Sequence, residues 1–331
     1  MIDTPERRDR ANTTDPLSGL DRLIQGTAML DALTERDAHA LLDGVAEAGA
    51  NSFDLARDYG AGEAERRFGA WFRTVPREQR PFLVGKGGHP HGARNRVARK
   101  AVRADLDASL DAIGSDYFDL YLLHRDDPDV PVDEIVDFLD ELQREGRIGA
   151  YGGSNWTVER LRAAHAYAQT AGRDGFRASS PHFSLAVPTR PPWPGCVALN
   201  GPAASDDRRW YAATGLPVLA WSSLAMGWFA LESEADVIGN ERSLGASVYA
   251  TPENVARRAR ARRLAERDGG TATEVAVRYV LNQPMRTRAI VGCRTQAEFQ
   301  ALKHATERPL SASELEWLES GTGPDLRSDL D

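Results

Sequence analysis

Four side chains of different chemistry sit at the ends of three successive apolar runs. Asp54 lies in Ser52-Phe53-Asp54-Leu55-Ala56 with Tyr59 just beyond it. Lys86 closes Pro81-Phe82-Leu83-Val84-Gly85, and His124 closes Phe118-Asp119-Leu120-Tyr121-Leu122-Leu123. The lysine is conspicuous. Of 41 basic residues only Lys86, Lys100 and Lys303 are lysines; the rest are arginines. An ammonium is a compact charge whose proton affinity shifts on burial, whereas a guanidinium is broad, forked and always charged. Lys100 falls on a polar helix face and reads as ordinary surface.

An aspartate, a tyrosine, a lysine and a histidine together suit the protonation of a carbonyl oxygen while hydride arrives at its carbon. A free phenol has a pKa of about 10 and is a reluctant donor at neutral pH. A nearby ammonium is expected to lower that value by stabilising phenolate. The aspartate keeps the ammonium charged and oriented. A neutral histidine donates a hydrogen bond to the same carbonyl oxygen. Positioned acid catalysis of this kind is worth roughly 100- to 10,000-fold. Singly, each residue has a plainer reading: a helix cap, an amphipathic core tyrosine, a turn histidine. Their coincidence at three consecutive strand ends carries the argument.

Strands and helices alternate along the chain. Strands are expected near 23–27, 52–56, 82–86, 118–124, 148–152, 178–185, 217–224 and 289–292, each followed by a helical pattern. Thr34 and Asp37 resemble a capping box opening a helix with Ala38, Leu41, Leu42 and Val45 on one face. Val102, Leu106, Leu110 and Ile113 mark another apolar stripe, and Ser311 with Glu314 caps a terminal helix. Eight βα units in sequence predict a parallel α/β fold, a closed (β/α)8 TIM barrel with long loops at its C-terminal face. No Gly-x-Gly-x-x-Gly follows the first strand, which argues against a Rossmann domain. No linker interrupts the pattern, so a single domain over 1–331 is expected, with 1–18 flexible. Residues 186–206 and 225–250 follow strands and form long loops of the kind that carry function.

Composition narrows the function classes. A formal charge of −8 argues against nucleic-acid or membrane-surface partners. No apolar run approaches the length of a membrane span, and the charged stretch 1–15 does not read as a secretory signal. Cys196 and Cys293 are the only cysteines, which makes neither a disulfide framework nor a metal cluster and suits the cytoplasm. His89 and His91 lie close together but recruit no further ligand type, so no metal is expected. The basic run at 257–263 reads as a solvated helix face.

At these residues the chain resembles the aldo-keto reductase family. The resemblance rests on Phe53-Asp54-Leu55-Ala56-Arg57-Asp58-Tyr59-Gly60, on Gly62, Glu63, Glu65 and Gly69, and on Val84-Gly85-Lys86-Gly87. It continues through Asp119-Leu120-Tyr121-Leu122-Leu123-His124, Gly146-Arg147-Ile148-Gly149-Ala150-Tyr151-Gly152-Gly153-Ser154-Asn155-Trp156 and Trp221-Ser222-Ser223-Leu224-Ala225. These segments fall in the family's order across about residues 20 to 305. The resemblance implies a barrel that binds NADPH in extended form and reduces an aldehyde, ketone or sugar carbonyl. The catalytic group would be Asp54, Tyr59, Lys86 and His124, with Tyr59 as general acid and base.

Carried over residue by residue, the resemblance puts Asp54, Gly26 and Thr27 beside the cofactor and gives its carboxamide to Ser154, Asn155 and Ser180. Trp221 would stack on the nicotinamide, and Ser222 and Leu224 would meet the pyrophosphate. Gly292, Arg294 and Glu298 would face the adenosine end, where Arg294 beside a helix N-terminus is a plausible anion site on physical grounds as well. The substrate pocket would be lined by Tyr59, His89, His124, Trp156 and Trp228. Two departures stand out. Ser179-Ser180 replaces the frequent Asn-Gln pair, and Glu298 and Leu302 occupy positions where relatives often carry phosphate- and adenine-contacting side chains. NADH or dual cofactor use therefore stays open beside NADPH. Two other functions stay open: a non-catalytic NADPH-binding regulatory subunit, and an aldolase or isomerase using Lys86 as Schiff base. The partner expected is a small carbonyl compound, and the chain could be a monomer or a homo-oligomer.

Overall fold

Each apolar run becomes a short strand covered on both faces, as parallel strands between helices must be. In the computed structural model, which describes residues 15–92, 94–232 and 248–322, the strands are β1 (Leu23–Gly26), β2 (Ser52–Asp54), β3 (Phe82–Gly87), β4 (Phe118–Leu123), β5 (Ile148–Ser154), β6 (Ala178–Ser180), β7 (Val218–Ala220) and β8 (Thr287–Val291). They close into a barrel in sequence order, so the fold is the expected (β/α)8 TIM barrel. Packing separates the chain into two units, Met1–Ser180 with Gly292–Phe299, and Pro181–Val291 with Gln300–Asp331. The expected flexible N-terminus lies largely outside the described residues, as does 233–247 of the second long loop.

In the first unit α1 (Glu35–Glu47) begins where the Thr34 side chain accepts from the Asp37 amide, and it buries Ala38, Leu41, Leu42 and Val45. Helix α2 (Glu63–Phe72) sends Phe68 and Trp71 against Phe53 of β2, with ring centroids 5.3 and 5.5 Å away. Helix α3 (Arg99–Ile113) buries the stripe Val102, Leu106, Leu110 and Ile113. Each such side chain contributes about 1.5–3 kcal/mol by leaving water. Helices α4 (Val132–Arg144) and α5 (Val158–Ala171) follow β4 and β5, and Thr157 caps α5 by accepting from the Arg160 amide.

The register fixes which side chains point inward. Asp54 pairs with Val84, and farther along the sheet Lys86 pairs with Leu122, Leu122 with Gly152, and Gly152 with Ala178. Paired residues in parallel strands face the same way, and facing repeats every second residue. Asp54, Val84 and Lys86 therefore share one face, and one step farther His124, Ser154 and Ser180 share it too. The pairing continues past the formal strand ends: the His124 amide donates to the Gly87 carbonyl at 2.7 Å and the Arg57 amide to the Lys86 carbonyl at 3.0 Å.

The second unit carries α6 (Ser205–Thr214), α7 (Pro252–Asp268), α8 (Ala272–Leu281) and α10 (Ala312–Ser320), while α9 (Gln296–Ala305) begins in the first unit. Ser311 and Glu314 form the expected capping box on α10. Three expectations need correction here. Strand β7 ends at Ala220 rather than at 224. Strand β6 stops at Ser180 rather than running to 185, because Pro181 has no N–H to continue the ladder. The arginine run of α7 is not a solvated face. Arg257 and Arg260 donate to the Leu318 and Glu319 carbonyls at the C-terminal end of α10, and Arg258 is buried with its guanidinium 4.7 Å from the Trp228 ring. Orphan carbonyls at a helix C-terminus attract such cations.

Candidate active site

The ends of β2, β3 and β4 bring Asp54, Tyr59, Lys86 and His124 together. Lys86 Nζ lies 2.7 Å from the Asp54 carboxylate and 3.0 Å from the Tyr59 hydroxyl, which itself donates to Asp54 at 3.1 Å. Asp54 and Lys86 are 1% and 2% exposed, so this ion pair is dry. Tyr59 is only partly covered. Its ring meets the His124 ring edge-on at 5.9 Å.

The turn after β2 aims Tyr59. Gly60 and Gly62 adopt φ of 56° and 90°, with Ala61 at 52° between them. A Cβ at Gly62 would collide with the Arg57 guanidinium, which is held at 3.2 Å by the fully buried Glu65 carboxylate. Glycine takes left-handed backbone without strain, and here it also leaves room for that guanidinium. Sequence reasoning placed Glu65 among the residues that carry the resemblance but did not pair it with Arg57. Their separation of eight residues across a turn gives no periodic signal.

The titration of Tyr59 differs from expectation. Burial, then Asp54, push its hydroxyl up to about 12, while the Lys86 charge and hydrogen bond pull the other way without prevailing. The ammonium does stabilise phenolate, but the dry surroundings and the shared carboxylate outweigh it. Lys86 is itself held above the usual lysine range. Burial works against its charge, and Asp54 and Tyr59 overcome that penalty. Burial, then the Lys86 and Arg125 charges and His89, drive His124 well below its ordinary value. His124 is therefore neutral at pH 7. Its Nδ1 is buried with no partner among the described residues. An unpaired buried N–H is rarer than an unpaired acceptor, so the ring proton belongs on Nε2.

His89 stands beside His124, with ring centroids 4.8 Å apart. Its Nδ1 lies 3.0 Å from the Pro90 carbonyl and 3.4 Å from Asp58. Trp156 and Trp228, expected to wall a substrate pocket, are 0% and 1% exposed. Trp156 packs on Phe176 at 4.7 Å, and the Trp228 indole donates to the Asn254 carbonyl at 3.3 Å. Both rings are core, because packing partners cover them completely.

The residues expected at the cofactor fall as follows. The Thr27 hydroxyl donates to the Asp54 carbonyl at 2.8 Å, tying β1 to β2 beside buried Gly26. The Ser154 hydroxyl donates to the Ser180 carbonyl at 2.9 Å, and the Asn155 amide reaches Ser154 Oγ at 3.0 Å. Asn155 adopts φ of 59°, an uncommon conformation that recurs at functional sites. Gly292 and Arg294 are exposed, and a Cβ on Gly292 would press on Met29 Cε at 3.1 Å. That stretch offers bare backbone and a guanidinium ahead of α9, which suits a phosphate-bearing nucleotide. Glu298 faces the same end, but its carboxylate accepts from the Arg294 amide at 2.7 Å. In the second unit Trp221, Ser222 and Leu224 are partly exposed, with Ser222 at φ of 49°. Sequence reasoning missed His182, wholly buried, whose ring lies 4.7 Å from that of Trp221. A lone histidine inside an expected strand was its only signal.

Comparison with known proteins identifies the family and the fold. The family model described as "Aldo/keto reductase family" matches residues 22–321. The chain is 25% identical to aldo-keto reductase YhdN of Bacillus subtilis, over 89% of this chain and 86% of that one. It is 28% identical to the uncharacterized oxidoreductase YrpG of the same organism, over 90% of each. A crystal structure of an aldo/keto reductase from Klebsiella pneumoniae, in complex with NADP and acetate, superposes with a TM-score of 0.67 at 22% identity, covering 92% of this chain and 93% of that one. That likeness supports the fold. Among the described residues no helix is long and apolar enough to cross a membrane. With matched barrel, matched sequence span and a dry Asp-Tyr-Lys-His cluster at the strand ends, the chain belongs to the aldo/keto reductase family, a family of oxidoreductases.

Proposed function

We propose that the protein reduces the carbonyl of an aldehyde, ketone or sugar with NADPH, and oxidises the alcohol in reverse. The observation that carries this reading is the Tyr59 hydroxyl held between Asp54 and Lys86, 3.1 and 3.0 Å away. The cofactor supplies hydride when bound. Tyr59 gives its proton to the oxygen that becomes the alcohol. Lys86, kept charged by Asp54, stabilises the phenolate left behind. His124 donates from Nε2 to the carbonyl oxygen and holds it toward Tyr59. A phenol that stays protonated through neutral pH remains a competent donor to a developing alkoxide, which is far more basic.

Ser154, Asn155 and Ser180 hold the carboxamide, and Gly26 and Thr27 lie near it. Trp221 stacks on the nicotinamide, with Ser222 and Leu224 toward the pyrophosphate. Gly292 and Arg294 meet the adenosine end. The preference for NADPH rests on the Arg294 guanidinium, since Glu298 is engaged by backbone. His89 lines the substrate side beside Tyr59 and His124. Two other readings fit less well. A Schiff-base lysine must lose its proton to attack, and Asp54 holds Lys86 in the charged form. A non-catalytic subunit would leave a complete proton-donating cluster unused.

The test is NADPH oxidation across a panel of aldehydes, ketones and sugars, with the parent beside Tyr59→Phe. Turnover by the parent and its collapse in the variant are expected. Equal turnover in both would remove the mechanism.

A further inference from the structure

Behind Trp221 the second unit buries a polar chain whose hydrogens can be assigned throughout. Asn200 Nδ2 lies 2.8 Å from the Ser184 carbonyl and 2.7 Å from the Ala186 carbonyl. Carbonyls only accept, so that atom is the amide nitrogen and Asn200 Oδ1 is an acceptor. His182 Nδ1, 2.7 Å from that oxygen, must therefore donate. A neutral ring then has its acceptor at Nε2, which lies 2.7 Å from the Tyr249 hydroxyl. Burial holds His182 down at about 4, with the Asn200 bond opposing it, consistent with the neutral form.

His182 is also a backbone junction. Its amide donates to the Val197 carbonyl and its own carbonyl accepts from the Leu199 amide, both at 2.8 Å. The flanking Pro181 carbonyl and Phe183 amide bond Trp221 at 3.2 and 3.4 Å. The segment 181–183 thus ties together the stretch 197–200, Trp221 and Tyr249. Buried Asn254 closes the arrangement by bonding both Val187 and the Tyr249 carbonyl. The His182 ring meets Trp221 at 61°, and exposed Trp193 leans on the same indole at 5.7 Å.

We infer that His182 is a positioning residue, which fixes the plane of Trp221 and clamps the described parts of the two long loops around it. It touches neither cofactor nor substrate and acts through the indole. The inference rests on the proposed stacking of Trp221 against the nicotinamide. Substituting His182 therefore disturbs cofactor binding before it disturbs proton transfer.

The experiment compares the parent with His182→Phe, Tyr249→Phe and His182→Gln. NADPH dissociation constants come from fluorescence titration, kcat and cofactor KM from steady state, and Tm from thermal unfolding. His182→Phe keeps a flat ring but breaks the chain at both nitrogens. Its NADPH Kd should rise about tenfold, the size of one lost buried hydrogen bond, with kcat at saturating cofactor changed far less. Tyr249→Phe removes one hydroxyl, with its bonds to His182 and Ser184, and should shift Kd in the same direction, which keeps the test usable should His182→Phe not fold. His182→Gln restores an N–H donor group and a carbonyl acceptor and should recover part of the loss. Variants that lower Tm while leaving Kd and cofactor KM at parental values would reduce His182 to a structural role and overturn the inference. A parent that binds no NADPH would instead remove the functional reading beneath it.

Discussion

The Lys86 ammonium stands 3.0 Å from the Tyr59 hydroxyl, yet the phenol titrates higher than a free one. Proximity of a cation does not by itself make an acid stronger. Asp54 shares both groups, and its charge together with burial outweighs the lysine. In the proposed mechanism, what Lys86 provides is a partner for the phenolate at the moment the proton leaves. The raised value keeps Tyr59 protonated at neutral pH, as a donor in the proposed reaction must be.

That arrangement predicts the pH dependence. A folded value raised to about 12 means that Tyr59 stays protonated across the neutral range. In the proposed mechanism the protonated form is the donor for reduction, so reduction should be level through neutral pH and lost only as pH climbs toward that raised value. Alcohol oxidation needs the phenolate and should rise over the same window. Because His124 is held well below its ordinary value, no acid limb from it should appear near pH 6.5. kcat profiles in both directions check this, and a reductive limb centred near neutrality would contradict it.

Tyr59→Phe removes the donor and leaves the Asp54–Lys86 pair intact. Its kcat should fall roughly 100- to 10,000-fold, with NADPH binding preserved. Single-turnover kinetics and fluorescence titration separate the two effects.

Asp54→Asn leaves the Lys86 ammonium in a dry site without its counter-charge. Breaking a buried pair in this way costs about 3–5 kcal/mol. The urea unfolding midpoint should drop accordingly, and reduction should fall with it. An unchanged midpoint would mean that water reaches Nζ.

Arg294→Ala should weaken NADPH binding about tenfold, as expected for one charge-assisted contact to phosphate, and leave NADH binding nearly unchanged. The ratio of kcat/KM for the two cofactors reads this directly. Equal effects on both would place the 2′-phosphate elsewhere.

Much of the barrel was legible in the sequence, because strand and helix periodicities differ and caps such as Thr34, Thr157 and Ser311 mark helix starts locally. The residues of the cluster were legible because Asp54, Lys86 and His124 end apolar runs, and strand ends converge in a parallel barrel. Other features depend on who lies beside whom. The net direction of the Tyr59 shift required the dryness around Asp54 and Lys86. The burial of Trp156 and Trp228 followed from packing partners far along the chain, and so did the pairing of the α7 arginines with carbonyls of α10. The chain of bonds through His182 joins Asn200 and Tyr249 over separations of 18 and 67 residues. Local pattern specifies elements and their order. Only the folded chain decides solvation and long-range contact, and these set what an ionisable group does.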